Sequence, residues 1–230
     1  MVILRRRFPL PLLARLFLFC CLGLPLPSYA AGNRDILWEV VTTCLDPAAA
    51  DYDTLCRWPA EGSAAACRKT TGVWEISRDF VILRDRKMCD CLDNATFVHG
   101  LAIPRTRVTG AEDPRRPDGI WRFAWEYAVR RIGKEEEIAL VANPPGSTNR
   151  SQDQLHVHIV RLSAAGAKLR AVPGQARVQN LDDVWKRAVD LAAGTFGEFG
   201  VLVAKHPQGG FLVVVDDRNL EHLYTESRCP

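Results

Sequence analysis

Gln154-Leu155-His156-Val157-His158-Ile159-Val160 is the stretch on which the reading of this chain turns. Polar and apolar residues alternate through it, and in a β-strand side chains two apart share a face. The alternation predicts a strand over 154–160 with Gln154, His156 and His158 on one side and Leu155, Val157 and Ile159 on the other. Two imidazoles and an amide on one rigid strand make a small reactive surface. Neutral imidazole is both a nucleophile and a proton carrier near neutral pH.

The residues ahead of this strand predict its partner. Ile138-Ala139-Leu140-Val141-Ala142 is an apolar run ending in the amide of Asn143. Pro144, Pro145, Gly146, Ser147 and Thr148 form a turn, and 149–152 lead back to the histidines, with Arg150 and Ser151 just before them. An apolar strand, a turn and a second strand make a hairpin. Further upstream, Gly100-Leu101-Ala102-Ile103 runs into Pro104 and a basic segment carrying Arg105 and Arg107.

Outward from the hairpin, the periodicities predict a short helix over 33–44, strands at 73–76, 80–83 and 96–103, and a turn-rich connection at 110–119. A helix over 120–132 follows, with Trp121, Ala124, Trp125, Ala128 and Ile132 inward and Gly133 as its stop. A second helix spans 181–193, capped by Asn180 or Asp182. A closing hairpin joins 200–204 to 211–215 around 207–210. Antiparallel strands with separate helices make an α+β chain. His99, His206 and His222 stand alone in unrelated contexts and read as surface or satisfied core.

The chain has 230 residues, 47% apolar and 25% charged, which suits one globular domain with a small appendage. The net charge of +3 is too small to point to nucleic acid. Arg5, Arg6 and Arg7, a mainly apolar stretch to Leu26, and Ser28-Tyr29-Ala30 read as a secretory signal cleaved after Ala30, or as an uncleaved anchor. Residues 1–30 are thus a leader, 31–72 a cysteine-containing segment and 73–230 the main domain. Without the leader six cysteines remain, Cys44, Cys56, Cys67, Cys89, Cys91 and Cys229, and an even count in an exported chain implies disulfides. Cys44, Cys56 and Cys67 suit a local loop, while Cys229 suits a tie between tail and body. Cys89 and Cys91 lack a second pair at zinc-ligand spacing, so no metal site is expected.

The histidine strand and its hairpin resemble the histidine-triad superfamily of nucleotide hydrolases and transferases. Most of the mature chain is similar to the bacterial CDP-diacylglycerol pyrophosphatase family. The similarity is carried by Phe80-Val81-Ile82-Leu83-Arg84-Asp85, Ile103-Pro104-Arg105-Thr106-Arg107-Val108-Thr109-Gly110, Phe123-Ala124-Trp125, Arg150-Ser151-Gln152 and the histidine strand itself. The resemblance implies a histidine-triad-like antiparallel meander sheet with a long packed helix, next to a disulfide-bearing N-terminal segment.

It also implies a reaction: hydrolysis of the pyrophosphate of CDP-diacylglycerol to CMP and phosphatidate through a nucleotidyl-histidine. His156 takes the middle position and is the nucleophile; His158 takes the third and serves the leaving phosphate. Gln154 stands where a first histidine is usual and reads as an orienting residue, since an amide cannot carry a proton. Asn143, Ser151, Arg107 and Arg150 are the residues expected to bind or orient phosphate. No metal or cofactor is expected. The substrate implies an exported, periplasmic chain, soluble or held at the inner membrane, with a membrane surface as its partner. The alternative reading is an exported nucleotide- or lipid-binding module whose triad has decayed at Gln154 and which performs no catalysis.

Overall fold

The computed structural model describes residues 33–45, 67, 72–91, 94–146, 148–171 and 175–229. The leader and most of the cysteine-rich stretch lie outside the described residues, as does Ser147 of the turn. Residues from Asn33 onward form one compact unit.

In chain order the elements are α1 (Ile36–Thr43), β1 (Val73–Ile76), β2 (Phe80–Arg84), β3 (His99–Pro104), α2 (Ile120–Ile132), β4 (Ile138–Ala142), β5 (Val157–Arg161), β6 (Gln175–Val178), α3 (Val184–Ala192), β7 (Gly200–Lys205), β8 (Phe211–Asp216) and α4 (Leu220–Tyr224). The strands form one eight-stranded sheet in the order β1-β2-β3-β5-β4-β7-β8-β6, antiparallel at every pairing. The fold is α+β, as the sequence predicts. Sequence neighbours pair along most of the sheet, but β5 enters between β3 and β4. That places the histidine strand at the centre, bonded on both edges.

The two sides of the sheet have different tasks. Alternate residues Ile82, Ala102, Leu140, Val157, Ile159, Val203 and Val213 pack against Trp121, Ala124, Trp125 and Ala128 of α2 and Val184, Trp185 and Ala188 of α3. Trp121 is fully buried, and its ring stands 4.7 Å from that of Trp185. Burying side chains of this size contributes about 1.5–3 kcal/mol each, so this layer supplies most of the driving force for folding. The opposite side is split. Val81, Leu83, Leu101 and Ile103 pack against Val40 and Val41 of α1. Ala139, Val141, Val160, Leu202 and Val214 pack against Leu220 of α4. Between these two apolar patches lies the polar floor built by His99 and His158.

Two disulfides among the described residues brace this second side. Cys44, at the end of α1, bonds Cys67, and Cys91 bonds Cys229. Cys89 is also disulfide-bonded. The local loop and the tied tail expected from the cysteine positions are both present.

Three elements differ from the sequence reading. β6 has only two apolar residues in Gln-Ala-Arg-Val and is held by pairing with β8 rather than by its own pattern. α4 is five residues long, too short to show a period, and is capped by Asn219 Oδ1, which accepts from the His222 backbone N–H at 2.8 Å. The histidine strand begins at Val157, not at residue 154. The reason is local. Pro104 ends β3 and, having no N–H, cannot extend the ladder. Beyond it the Gln154 side chain replaces strand bonds: its Nε2 donates to the carbonyls of Pro104 at 3.0 Å and Thr106 at 2.8 Å, and its Oε1 accepts from Val108 N at 3.3 Å.

Candidate active site

The sheet register assembles the site. His158 lies opposite Leu101 on β3 and Val141 on β4. His99, two residues before Leu101, is therefore its diagonal neighbour on the same face, within reach of an aromatic side chain. Asn143, two residues past Val141, extends that face along the other edge. The rings of His99 and His158 have centroids 5.2 Å apart, and those of His156 and His158 are 4.9 Å apart. His156 precedes β5 yet keeps to the same side of the sheet as His158.

His156, His158 and Asn143 line a cavity of about 490 Å³. One wall is apolar: Ile36, Leu37 and Val40 from α1, with Leu83 and Leu101 from the sheet. The rest is polar, with Arg84 at the end of β2, Asp85, Arg86 and Lys87 after it, Asn143, Arg150, Ser151, His156 and His158 from the hairpin, and Glu221 from α4. A volume of this size suits part of a nucleotide or drug-sized ligand.

His156 has a defined tautomer. Its Nδ1 lies 2.8 Å from the carbonyl oxygen of Gln154, which can only accept. The ring proton is on Nδ1, and Nε2 keeps its lone pair. Burial lowers the pKa of this imidazole, against the hydrogen bond to Gln154, so the ring is neutral at neutral pH. His158 is 5% exposed, and burial holds its pKa well below the ordinary range, although the Glu221 carboxylate opposes that shift. A neutral, oriented imidazole can approach an anionic phosphate without the repulsion an anionic nucleophile meets.

Beneath these two lies a polar cluster. His99 is fully buried, and its Nε2 is 3.1 Å from His158 Nδ1 and 3.2 Å from Glu221 Oε1. Asn143 Nδ2 donates to Glu221 Oε2 at 2.9 Å, and Lys87 Nζ is 2.5 Å from Glu221 Oε1. Burial pushes the Glu221 carboxyl up, but its interactions with the His158 and His99 rings and with the Lys87 ammonium outweigh it and hold the group below the usual carboxylate range. Asp85, His99 and His158 each bring one ligand atom within 4.8 Å of the others, so this group could hold a cation.

The sequence-predicted residues fall into three sets. His156, His158, Asn143 and Ser151 meet at the cavity. Arg150 also lines it, but its guanidinium is committed to Glu112 through two bonds of 2.8 and 2.6 Å; a Cβ on Gly110 would stand 1.9 Å from the same guanidinium, so a side chain there would displace the ion pair. Arg150 thus anchors the turn before the histidines. Gln154 and Arg107 stand outside the cavity lining. Gln154 is 1% exposed and spends its amide on backbone groups. Arg107 is exposed, donates to Asp35 at 2.5 Å and lies over Trp38 at 5.6 Å, fastening α1 to the segment after β3.

Three residues of the site were not foreseen. His99, read as surface or satisfied core, is buried against the His158 ring. Lys87 and Glu221 carry no sequence pattern; they lie 134 residues apart and meet only in the fold. The position of His99 two residues before Leu101 on a strand flanking the histidines was the one available signal.

No individual curated protein matches the chain. The family model for CDP-diacylglycerol pyrophosphatase matches residues 32–196, a span that contains α1, the three strands around the histidines and both long helices. With a match over well more than half its length, the chain belongs to the CDP-diacylglycerol pyrophosphatase family.

Proposed function

We propose that the protein hydrolyses the pyrophosphate of CDP-diacylglycerol to CMP and phosphatidate in two steps through a covalent nucleotidyl-histidine. Membership in a pyrophosphatase family makes it a hydrolase of a phosphoric anhydride. The observation that carries the covalent route is the Nδ1 contact of His156 with the Gln154 carbonyl at 2.8 Å, which leaves Nε2 as a lone-pair nucleophile at a cavity able to take a phosphate.

In the first step His156 Nε2 forms a bond to the phosphorus that bears cytidine. The bond from that phosphorus to the bridging oxygen breaks, and phosphatidate departs as the anion, its new oxyanion accepting a hydrogen bond from the N–H of neutral His158. In the second step water attacks the same phosphorus, the P–N bond breaks to restore neutral His156, CMP leaves, and the water proton passes to solvent. Asn143 and Ser151 donate to phosphate oxygens as charge shifts among them. Lys87, Arg84 and Arg86 line the same cavity and raise its affinity for a diphosphate. The arrangement of histidines is that of a histidine-triad-like enzyme in which a structural glutamine takes the first position.

The chain is further proposed to be exported and to meet its substrate at a membrane surface. The leader-like residues 1–30 and the disulfides Cys44–Cys67 and Cys91–Cys229 support an oxidising compartment.

Product analysis decides the reaction. Purified protein with CDP-diacylglycerol should release CMP and phosphatidate, and acid-quenched samples with a cytidine-labelled substrate should carry label on His156. His156→Ala should lose both while keeping its circular dichroism. Reversible ligand retention with no product and no trapped label would instead identify a binding module.

A further inference from the structure

Glu221 lies beyond residue 196, where the family match ends, and reaches the site from the last helix. It is 5% exposed. Its Oε2 accepts from Asn143 Nδ2 at 2.9 Å and stands 3.3 Å from His158 Nε2. Its Oε1 stands 3.2 Å from His99 Nε2 and 2.5 Å from Lys87 Nζ. Its backbone N–H donates to Asn143 Oδ1 at 3.3 Å, so helix and amide hold each other.

A buried carboxylate tolerates donors and repels lone pairs. That condition settles the histidine tautomers. If His158 carried its proton on Nδ1, two ring lone pairs, His158 Nε2 and His99 Nε2, would face the carboxylate oxygens at 3.3 and 3.2 Å. With the proton of His99 on Nε2, that N–H serves both Glu221 Oε1 and His158 Nδ1, and His158 then carries its proton on Nε2 against Glu221 Oε2. The second arrangement makes all three of these closest contacts attractive, at the expense of the longer approaches of Asn143 Nδ2 to His158 Nε2 at 3.5 Å and of His99 Nδ1 to Asp85 Oδ2 at 3.8 Å.

We propose that Glu221 is a positioning residue for the reaction, holding the His158 proton on Nε2, the ring nitrogen on the cavity side, through its shared contacts with His99, Asn143 and Lys87. This rests on the histidine-nucleophile reading given above. It also accounts for the loss of a histidine at the first position. Gln154 is fully occupied by Pro104, Thr106 and Val108 and cannot place a proton. The placing is done instead from the opposite side of the cluster, by a carboxylate near the end of the chain. The charged and titratable groups around His158 are His99 on β3, Asp85 and Lys87 after β2, His156 on its own segment and Glu221 on α4.

The test uses the intact disulfide-bonded protein and the variants Glu221→Gln, Glu221→Asp and Glu221→Ala. Turnover is measured with CDP-diacylglycerol in detergent micelles and with a series of cytidine 5′-aryl phosphates of graded leaving-group basicity. Glu221→Gln should lower kcat about 10- to 100-fold, a share of the ~10²–10³-fold that one placed hydrogen-bond donor contributes, with KM within about threefold. Its deficit should widen as the leaving group becomes more basic. The acid limb of its kcat profile should move to lower pH, because the carboxylate that stabilises protonated His158 is gone. Glu221→Asp should recover part of the rate. Nitrogen-15 NMR of the imidazoles should show His158 as the Nε2–H tautomer and should show that population redistributed in Glu221→Ala.

A Glu221→Gln enzyme with normal kcat, pH profile and leaving-group dependence overturns the catalytic consequence. An unchanged His158 tautomer in Glu221→Ala overturns the positioning itself. An unmodified protein inert toward every substrate, or an active His156→Ala, sinks the nucleophile reading, and the NMR result still decides what Glu221 does to His158.

Discussion

Cys91 and Cys229 are joined across 138 residues of sequence, and their bond ties the 3₁₀ turn that carries Lys87 to the tail that follows Glu221. Ion pair and disulfide thus link the same two segments of the chain. Losing a native disulfide from a small secreted domain typically costs about 2–5 kcal/mol, with the larger values for long loops.

Cys229→Ser is accordingly expected to lower stability by about 2–5 kcal/mol and to reduce turnover, because α4 is freed along with its carboxylate. Urea unfolding followed by fluorescence gives the first quantity, and steady-state hydrolysis gives the second. Loss of stability with turnover fully retained would show that α4 stays seated without its tether.

Gln154→Ala is expected to destabilise the protein by about 1–3 kcal/mol, since three backbone groups lose their partner at a site where Gln154 is 1% exposed. The same change shifts the Gln154 carbonyl that sets the His156 tautomer, so kcat should fall as well. Gln154→His does not rescue either property, because a neutral imidazole has one donor and one acceptor and the position uses more. Denaturant midpoints and kcat for both variants check this. A fully active, fully stable Gln154→Ala would remove the residue from the site.

The buried histidines make the fold sensitive to acid. The pKa of His156 and of His158 is lowered from 6.5 by burial, so below pH 6.5 the unfolded chain takes up protons that the folded chain refuses. Stability contributed by these rings is present above 6.5 and declines as pH falls toward their folded values. Glu221 adds a second window: its carboxyl is lowered from 4.5, so its contribution is complete above that value and is lost on further acidification. Unfolding free energy should therefore fall below about pH 6.5 and more steeply below about pH 4.5. His158→Asn should flatten the first decline. Stability that stays level between these values would contradict the neutral state of the rings.

Hydrolysis by the imidazole route uses no bound ion. Turnover is expected to survive dialysis against a strong chelator. If chelation abolishes activity and one divalent ion restores it, the cation belongs on Asp85, His99 and His158, whose ligand atoms lie within 4.8 Å of one another, and the proton scheme for His158 must be replaced.

The sequence alone was enough for the elements with a strong period. α2 recurs inward at Trp121, Trp125 and Ala128 and appears where the pattern places it, and β4 pairs with β5 as expected although β5 starts three residues later than its alternation predicts. It was also enough to put His156 and His158 on one face beside Asn143, because the two histidines lie two apart on one segment and Asn143 ends the strand beside them. These are local relations, within the reach of a period of two or of 3.6 residues. What the tertiary structure decided is everything set by distant pairing. Insertion of β5 between β3 and β4 turned His99 from an isolated histidine into the neighbour of His158. The tail carried Glu221 to Asn143 across 78 residues. Arg107 and Gln154 left the cavity because Asp35 and the Pro104–Val108 segment offered partners that no spacing in the sequence discloses. Side-chain periodicity specifies which face a residue takes, and only the order of strands in the sheet specifies what that face meets.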